Sequence, residues 1–270
     1  MFGRGSVERS RDLKAPRPAR RWRRVLVLAL TLGLGYAIGL AQPLVLRPPL
    51  VLGQDAISDA DSSATRVRLD DVEGRVLVVE PARDRGTSLV IIYPGGLVRP
   101  QAYEWLSRRL AGLGHLVVIP ELPFDLAVTD SDRAAGLIAH YGSSRRVVLI
   151  GHSLGGAMGA QWAAGQPNAL VGLVLLGAYP PAGSDLSKAA WPSLVVAAEH
   201  DKLATPDELR AGMAQLAPTS QLVVLNGAVH AFFGRYGPQA GDGLPTVSRS
   251  VAEEQIVAAI STYLGDVLGG

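Results

Sequence analysis

Val147-Val148-Leu149-Ile150-Gly151-His152-Ser153-Leu154-Gly155-Gly156 is the stretch that decides the fold. Four consecutive aliphatic residues read as a strand buried on both faces, and the apolar run after Ser153 reads as a helix over Leu154–Ala164. Between them stands Gly-x-Ser-x-Gly. With 31 glycines in the chain that pattern alone is weak, but strand before and helix after are the context in which a serine hydroxyl is held on a sharp turn above a sheet. Ser153 is therefore the candidate nucleophile. The first N–H groups of the helix, beginning with Leu154, face the place where an oxyanion would form.

Outward from this segment the same alternation continues. Apolar runs at Arg75–Val79, Leu89–Ile92, Leu116–Ile119, Val171–Leu176, Leu194–Ala198 and Leu222–Leu225 join Val147–Ile150 as expected strands. Helices are expected at Gln101–Gly112, Ser131–His140, Pro206–Leu216 and Val251–Leu264 as well as Leu154–Ala164. Thr205-Pro206-Asp207-Glu208 and the Ser250/Glu253 spacing mark two helix starts. Strands alternating with helices predict an α/β fold with a mainly parallel sheet.

A serine hydroxyl needs a base, and the base needs an orienting carboxylate. Downstream of Ser153 there are two histidines, His200 and His230. His230 follows the last strand, in a loop that reaches the carboxyl edge of the sheet, and is the candidate base. Leu194–Ala198 runs into Glu199-His200-Asp201, which makes Asp201 the candidate acid, with Glu199, Asp207 and Asp185 as alternatives and His200 as a neighbour. A second oxyanion donor is expected in Tyr93-Pro94-Gly95-Gly96-Leu97, from the N–H of Gly96 or of Leu97, acting with that of Leu154. Glu121, Phe124 and Asp125 follow a strand at the same edge, in a position to touch substrate or to support the loop.

With these residues placed, residues 66–266 resemble the α/β-hydrolase superfamily, on the Gly151–Gly156 elbow, the Asp201 loop and His230. Small size and the lack of a large insertion resemble its dienelactone-hydrolase-like branch. The stretch His230–Gln239 is similar to a bacterial set of these proteins, several with a membrane-directed amino terminus. The resemblance implies an α/β-hydrolase fold with helices on both faces of the sheet and no large cap domain. It also implies hydrolysis of a carboxylic ester or related acyl bond through Ser153, His230 and Asp201, with a small acyl substrate and without cofactor or metal. Dienelactone hydrolases proper use a cysteine nucleophile, which this chain lacks, and Pro94-Gly95 stands where the family often has His-Gly. Two rival functions share the pattern: a non-catalytic binding protein of the same fold, and an acyltransferase using the same triad.

Only Gly177–Pro192 separates the strand after the elbow from the next, too little for a helical cap. Tyr179-Pro180-Pro181 and Trp191 in that connection either line the entrance or pack on the surface.

Ahead of the folded part, residues 1–24 carry nine Lys/Arg against Glu8 and Asp12, a flank of +7, so the rest of the chain is −5. Localised in one flank, this charge argues against nucleic-acid binding. Val25 to Leu46 is uncharged, with Gly33, Gly35, Gly39, Gln42 and Pro43 as its only breaks, and is long enough to cross a bilayer. The positive-inside bias predicts a cytoplasmic amino terminus and an exported domain over 66–270, joined by a Pro-rich, then polar linker over 47–65. A retained anchor is the principal expectation. Gly39-Leu40-Ala41 also fits a cleaved signal, and Arg23-Arg24 loosely fits a twin-arginine signal. The composition agrees with a globular, membrane-attached chain: 270 residues, 48% hydrophobic, 19% charged. Without cysteine there is no disulfide, thiolate metal site or thiol nucleophile, and the five scattered histidines suggest no metal cluster.

Overall fold

The computed structural model describes residues 19–45, 64–82 and 88–269. The chain divides into two units, Met1–Pro48 and Pro49–Gly270. The first contributes helix α1 (Ala19–Val45), within which Trp22–Leu40, 19 residues, is long and apolar enough to cross a membrane. Arg20, Arg21, Arg23 and Arg24 form part of its opening turns, whereas residues 1–18 and most of the expected linker lie outside the described residues.

The second unit is built on an eight-stranded sheet: β1 (Thr65–Asp71), β2 (Arg75–Pro81), β3 (Ser88–Tyr93), β4 (His115–Pro120), β5 (Arg146–His152), β6 (Gly172–Leu176), β7 (Ser193–Ala198) and β8 (Gln221–Leu225). Their spatial order is β1-β2-β4-β3-β5-β6-β7-β8. From β4 to β8 neighbours run parallel, while β1 and β2 form an antiparallel hairpin added to β4. All seven expected strands are present, with bounds within two residues.

β1 was not expected, and its last expected linker residue, Thr65, opens it. Thr-Arg-Val-Arg-Leu-Asp-Asp lies at the sheet's edge with most residues partly or fully exposed, so it carries charge rather than an apolar run. Central β3, by contrast, is buried at every position.

Alternation along the strands splits the core in two. Val90, Ile92, Val148 and Ile150 face Trp105, Leu106 and Leu110 of α2 (Glu104–Gly112) and Ile256 and Ile260 of the last helix. Leu89, Ile91, Tyr93 and Leu149 face α3 (Arg133–Tyr141), α4 (Leu154–Gly165) and α5 (Pro206–Gly212), through Leu137, Ala160, Ala163 and Leu209. Each such aliphatic side chain removed from water contributes about 1.5–3 kcal/mol, and together they fix the sheet that carries the loops.

The Thr205 capping box forms as expected, with Glu208 N–H on Thr205 Oγ1 and Thr205 N–H on Glu208 Oε2. The last helix, α6 (Arg249–Leu268), starts earlier than expected. Its cap is Ser248, whose Oγ accepts from Val251 N–H, while Ser250 merely bonds Ser248 and Glu253 pairs with Arg235. Between Leu176 and Ser193 there is neither helix nor strand, so this connection supplies no cap over the carboxyl edge of the sheet among the described residues.

Candidate active site

Ser153 sits between β5 and α4 with φ +51° and ψ −121°, left-handed backbone that a non-glycine residue adopts only at a cost of about 1–3 kcal/mol. Its N–H donates to the Leu176 carbonyl at 3.0 Å, and its carbonyl accepts from Ala157 N–H at 3.0 Å. Two glycines make this turn possible. A Cβ on Gly151 would strike the Gly156 backbone, and one on Gly155 would strike the Pro94 and Tyr93 carbonyls. That close approach also brings the loop after β3 against the start of α4.

In this loop, Leu97 N–H donates to the Asp125 carbonyl at 2.7 Å and Val98 N–H to the Gly95 carbonyl at 3.1 Å. The donor of Leu97 is thus committed elsewhere. Gly96 lies beside Leu154, whose Cδ2 would be 3.3 Å from a Cβ placed on the glycine. Leu97, Phe124 and Asp125 all have positive φ, at +61°, +55° and +54°. Arg99 holds these loops together, bonding Glu121 at 2.7 Å and Asp125 at 3.1 Å. Glu121 and Asp125 therefore brace the loop, while Phe124 is exposed.

Asp201 and His230 meet. Asp201 Oδ2 lies 2.6 Å from His230 Nδ1, and both side chains are essentially buried. Asp201 Oδ1 accepts from the N–H groups of Leu203 and Ala204, both at 2.8 Å, so each carboxylate oxygen is engaged. The carboxylate accepts a hydrogen bond from Nδ1–H, which leaves Nε2 as the other ring nitrogen. Nε2 is buried and makes no hydrogen bond, to Ser153 or to any other described residue.

The alternative acids are occupied elsewhere. Glu199 accepts from Gly227 N–H at 2.7 Å and pins the turn before His230; Asp207 pairs with Arg210; Asp185 bonds Ser187 N–H. His200 lies near Glu199 and Thr246. Trp191 is packed, donating to the Pro167 carbonyl, and Pro180 accepts from Gln215, so this connection belongs to the body of the fold.

Three residues of the site escaped the sequence reading. Asp242 accepts from the N–H groups of His230 (3.2 Å), Ala231 (2.9 Å) and Gly243 (2.7 Å), clamping the helical turn His230–Phe233. Tyr103 and His152 pair at 2.7 Å beneath the same turn, and the His152 ring centroid is 4.7 Å from that of His230. Burial, reinforced by the neighbouring His230, holds His152 well below the usual histidine range, so it is neutral. Only the Gly-Asp-Gly turn signal around Asp242 was visible in advance; the partners of Tyr103 and His152 are set by tertiary structure.

A mainly parallel sheet with a strained serine between strand and helix, and a buried carboxylate–imidazole pair from two later loops, defines the class of α/β hydrolases. The α/β-hydrolase family model matches residues 89–254, and the chain belongs to that family. Its fold is shared by the crystal structure of a predicted CIB-like hydrolase from Thermoplasma acidophilum, at a TM-score of 0.59 and 16% identity over 75% of this chain and 99% of that one. No curated protein matches the sequence.

Proposed function

We propose that the protein is a serine hydrolase that cleaves a carboxylic ester or related acyl bond of a small substrate. The observation that carries this reading is the 2.6 Å contact between Asp201 and His230 at the sheet edge where Ser153 stands on its strained turn. Ser153 Oγ attacks the acyl carbon while His230 Nε2 takes its proton; Asp201 fixes the tautomer and stabilises the imidazolium. The N–H groups of Gly96 and Leu154 receive the oxyanion, and the commitment of Leu97 N–H to Asp125 favours Gly96 over Leu97. His230 then protonates the leaving group, and water releases the acyl group from Ser153 by the reverse proton path. Bound substrate draws Ser153 and His230 into hydrogen-bond contact, a tightening common in such sites.

The short connection Gly177–Pro192, which holds neither helix nor strand, supports the dienelactone-hydrolase-like branch and small or exposed acyl groups. The apolar helical segment Trp22–Leu40, with Arg20, Arg21, Arg23 and Arg24 around its start, supports a membrane-anchored enzyme with its domain on the extracytoplasmic side.

One experiment tests both parts. A fluorophosphonate probe that cannot cross membranes is applied to spheroplasts producing the full chain. Labelling of intact spheroplasts that vanishes in Ser153→Ala is expected. Labelling only after lysis would overturn the location, and a folded wild type that never labels would overturn the chemistry.

A further inference from the structure

Tyr103 lies at the end of the 3-10 turn Pro100–Tyr103 and is fully buried. Its hydroxyl oxygen accepts the Gly95 N–H at 2.8 Å and is hydrogen-bonded to its other partner, His152 Nδ1, at 2.7 Å. Burial raises the phenol well above its ordinary range, so the proton stays on oxygen. One hydroxyl thus links the Gly95 N–H to the His152 ring.

This one hydroxyl touches both halves of the site. On one side it holds Gly95, whose neighbour Gly96 is the proposed oxyanion donor. On the other it holds His152, covalently next to Ser153 and ring-to-ring with His230, Phe233 and Tyr236. Space is equally tight: a Cβ on Gly95 would lie 2.7 Å from His152 Nδ1 and 3.3 Å from the Tyr103 hydroxyl. The loop bearing His230 closes on the same turn, with Arg235 N–H donating to the Ala102 carbonyl at 2.8 Å.

We propose that Tyr103 is a positioning residue that couples the oxyanion loop to the nucleophile turn through His152. The inference rests on the serine-hydrolase reading. It assigns to Tyr103 no contact with substrate. What the hydroxyl supplies is the placement of Gly96 N–H relative to Ser153, so its loss weakens transition-state binding more than ground-state binding.

The test is Tyr103→Phe, which removes only the hydroxyl, compared with His152→Phe and the double variant. On a chromogenic short-chain ester, Tyr103→Phe is expected to lower kcat by about 10- to 100-fold, as a displaced oxyanion donor does, with KM within about twofold. Affinity for a trifluoromethyl ketone, which forms an oxyanion on Ser153, falls by a matching factor. The double variant loses little beyond either single one, because both break the same chain. An unchanged kcat in folded Tyr103→Phe, equal losses in KM, or additive losses in the double variant would overturn the coupling. Should Tyr103→Phe not fold, His152→Phe decides by the same two readouts: unchanged kcat and ketone affinity in that variant overturn the proposal. A wild type inert to both ester and ketone overturns instead the hydrolase reading beneath it.

Discussion

Asp201 grips His230 with one carboxylate oxygen and the backbone of Leu203 and Ala204 with the other. The carboxylate has no freedom to rotate away, so the imidazole it orients has a fixed tautomer and a fixed plane. The backbone donors also stabilise its charge without competing for His230.

Replacing this acid tests the tautomer directly. Asp201→Asn keeps the shape and the Oδ1 contacts but offers an N–H where the imidazole Nδ1–H needs an acceptor, so the ring turns over its proton pattern. Ester turnover is expected to fall by roughly 10³- to 10⁴-fold with little change in melting temperature. Activity within tenfold of wild type would remove Asp201 from the mechanism and reopen Glu199.

Asp242 separates folding from chemistry in another way. Its carboxylate organises the turn beginning at His230 without touching the imidazole. Asp242→Ala is expected to cost about 1–3 kcal/mol in urea denaturation, for buried donors left without a partner, and to lower kcat by roughly tenfold through a looser His230. Wild-type stability in this variant would show that the clamp contributes nothing.

How much of this was legible in advance differs from residue to residue. β5, the Ser153 turn and α4 announce themselves because a continuous aliphatic run and obligatory glycines are local features. The same locality fixed the loops of Asp201 and His230, each directly downstream of an apolar strand. β1 stayed hidden because an edge strand with Arg66, Arg68 and Asp70 has no apolar run to read. Ser248 and Ser250 are both plausible caps by composition, and only the backbone conformation at Ser248 distinguishes them. The partnership of Tyr103 with His152 joins residues 49 apart in sequence and is set by tertiary packing, not by any local signal.

Burial of neutral histidines makes stability depend on pH. His152 is held well below its ordinary value of 6.5 by burial and by His230, and His115, bonded to Ser88, is lowered by burial. Tyr103, His230 and Tyr236 face His152, with Asp201 behind His230. Below about pH 6.5 the unfolded chain binds protons at His152 and His115 that the folded chain refuses, so stability rises with pH through this window and is lost as pH falls. The melting temperature should therefore decline from pH 7.5 to 5.5, and decline less steeply in His152→Phe. Parallel curves for the two proteins would show that His152 takes a proton without cost in the folded state.

Among the described residues, the connection Gly177–Pro192 places neither helix nor strand over the sheet edge where Ser153 stands. On the proposed hydrolase reading, nothing in this connection has to swing aside for substrate or product, and turnover is expected to show no lag when substrate is offered as droplets rather than in solution. Discrimination among substrates is then expected to fall to the loops that Arg99 ties together, on which Leu97 and Phe124 stand exposed.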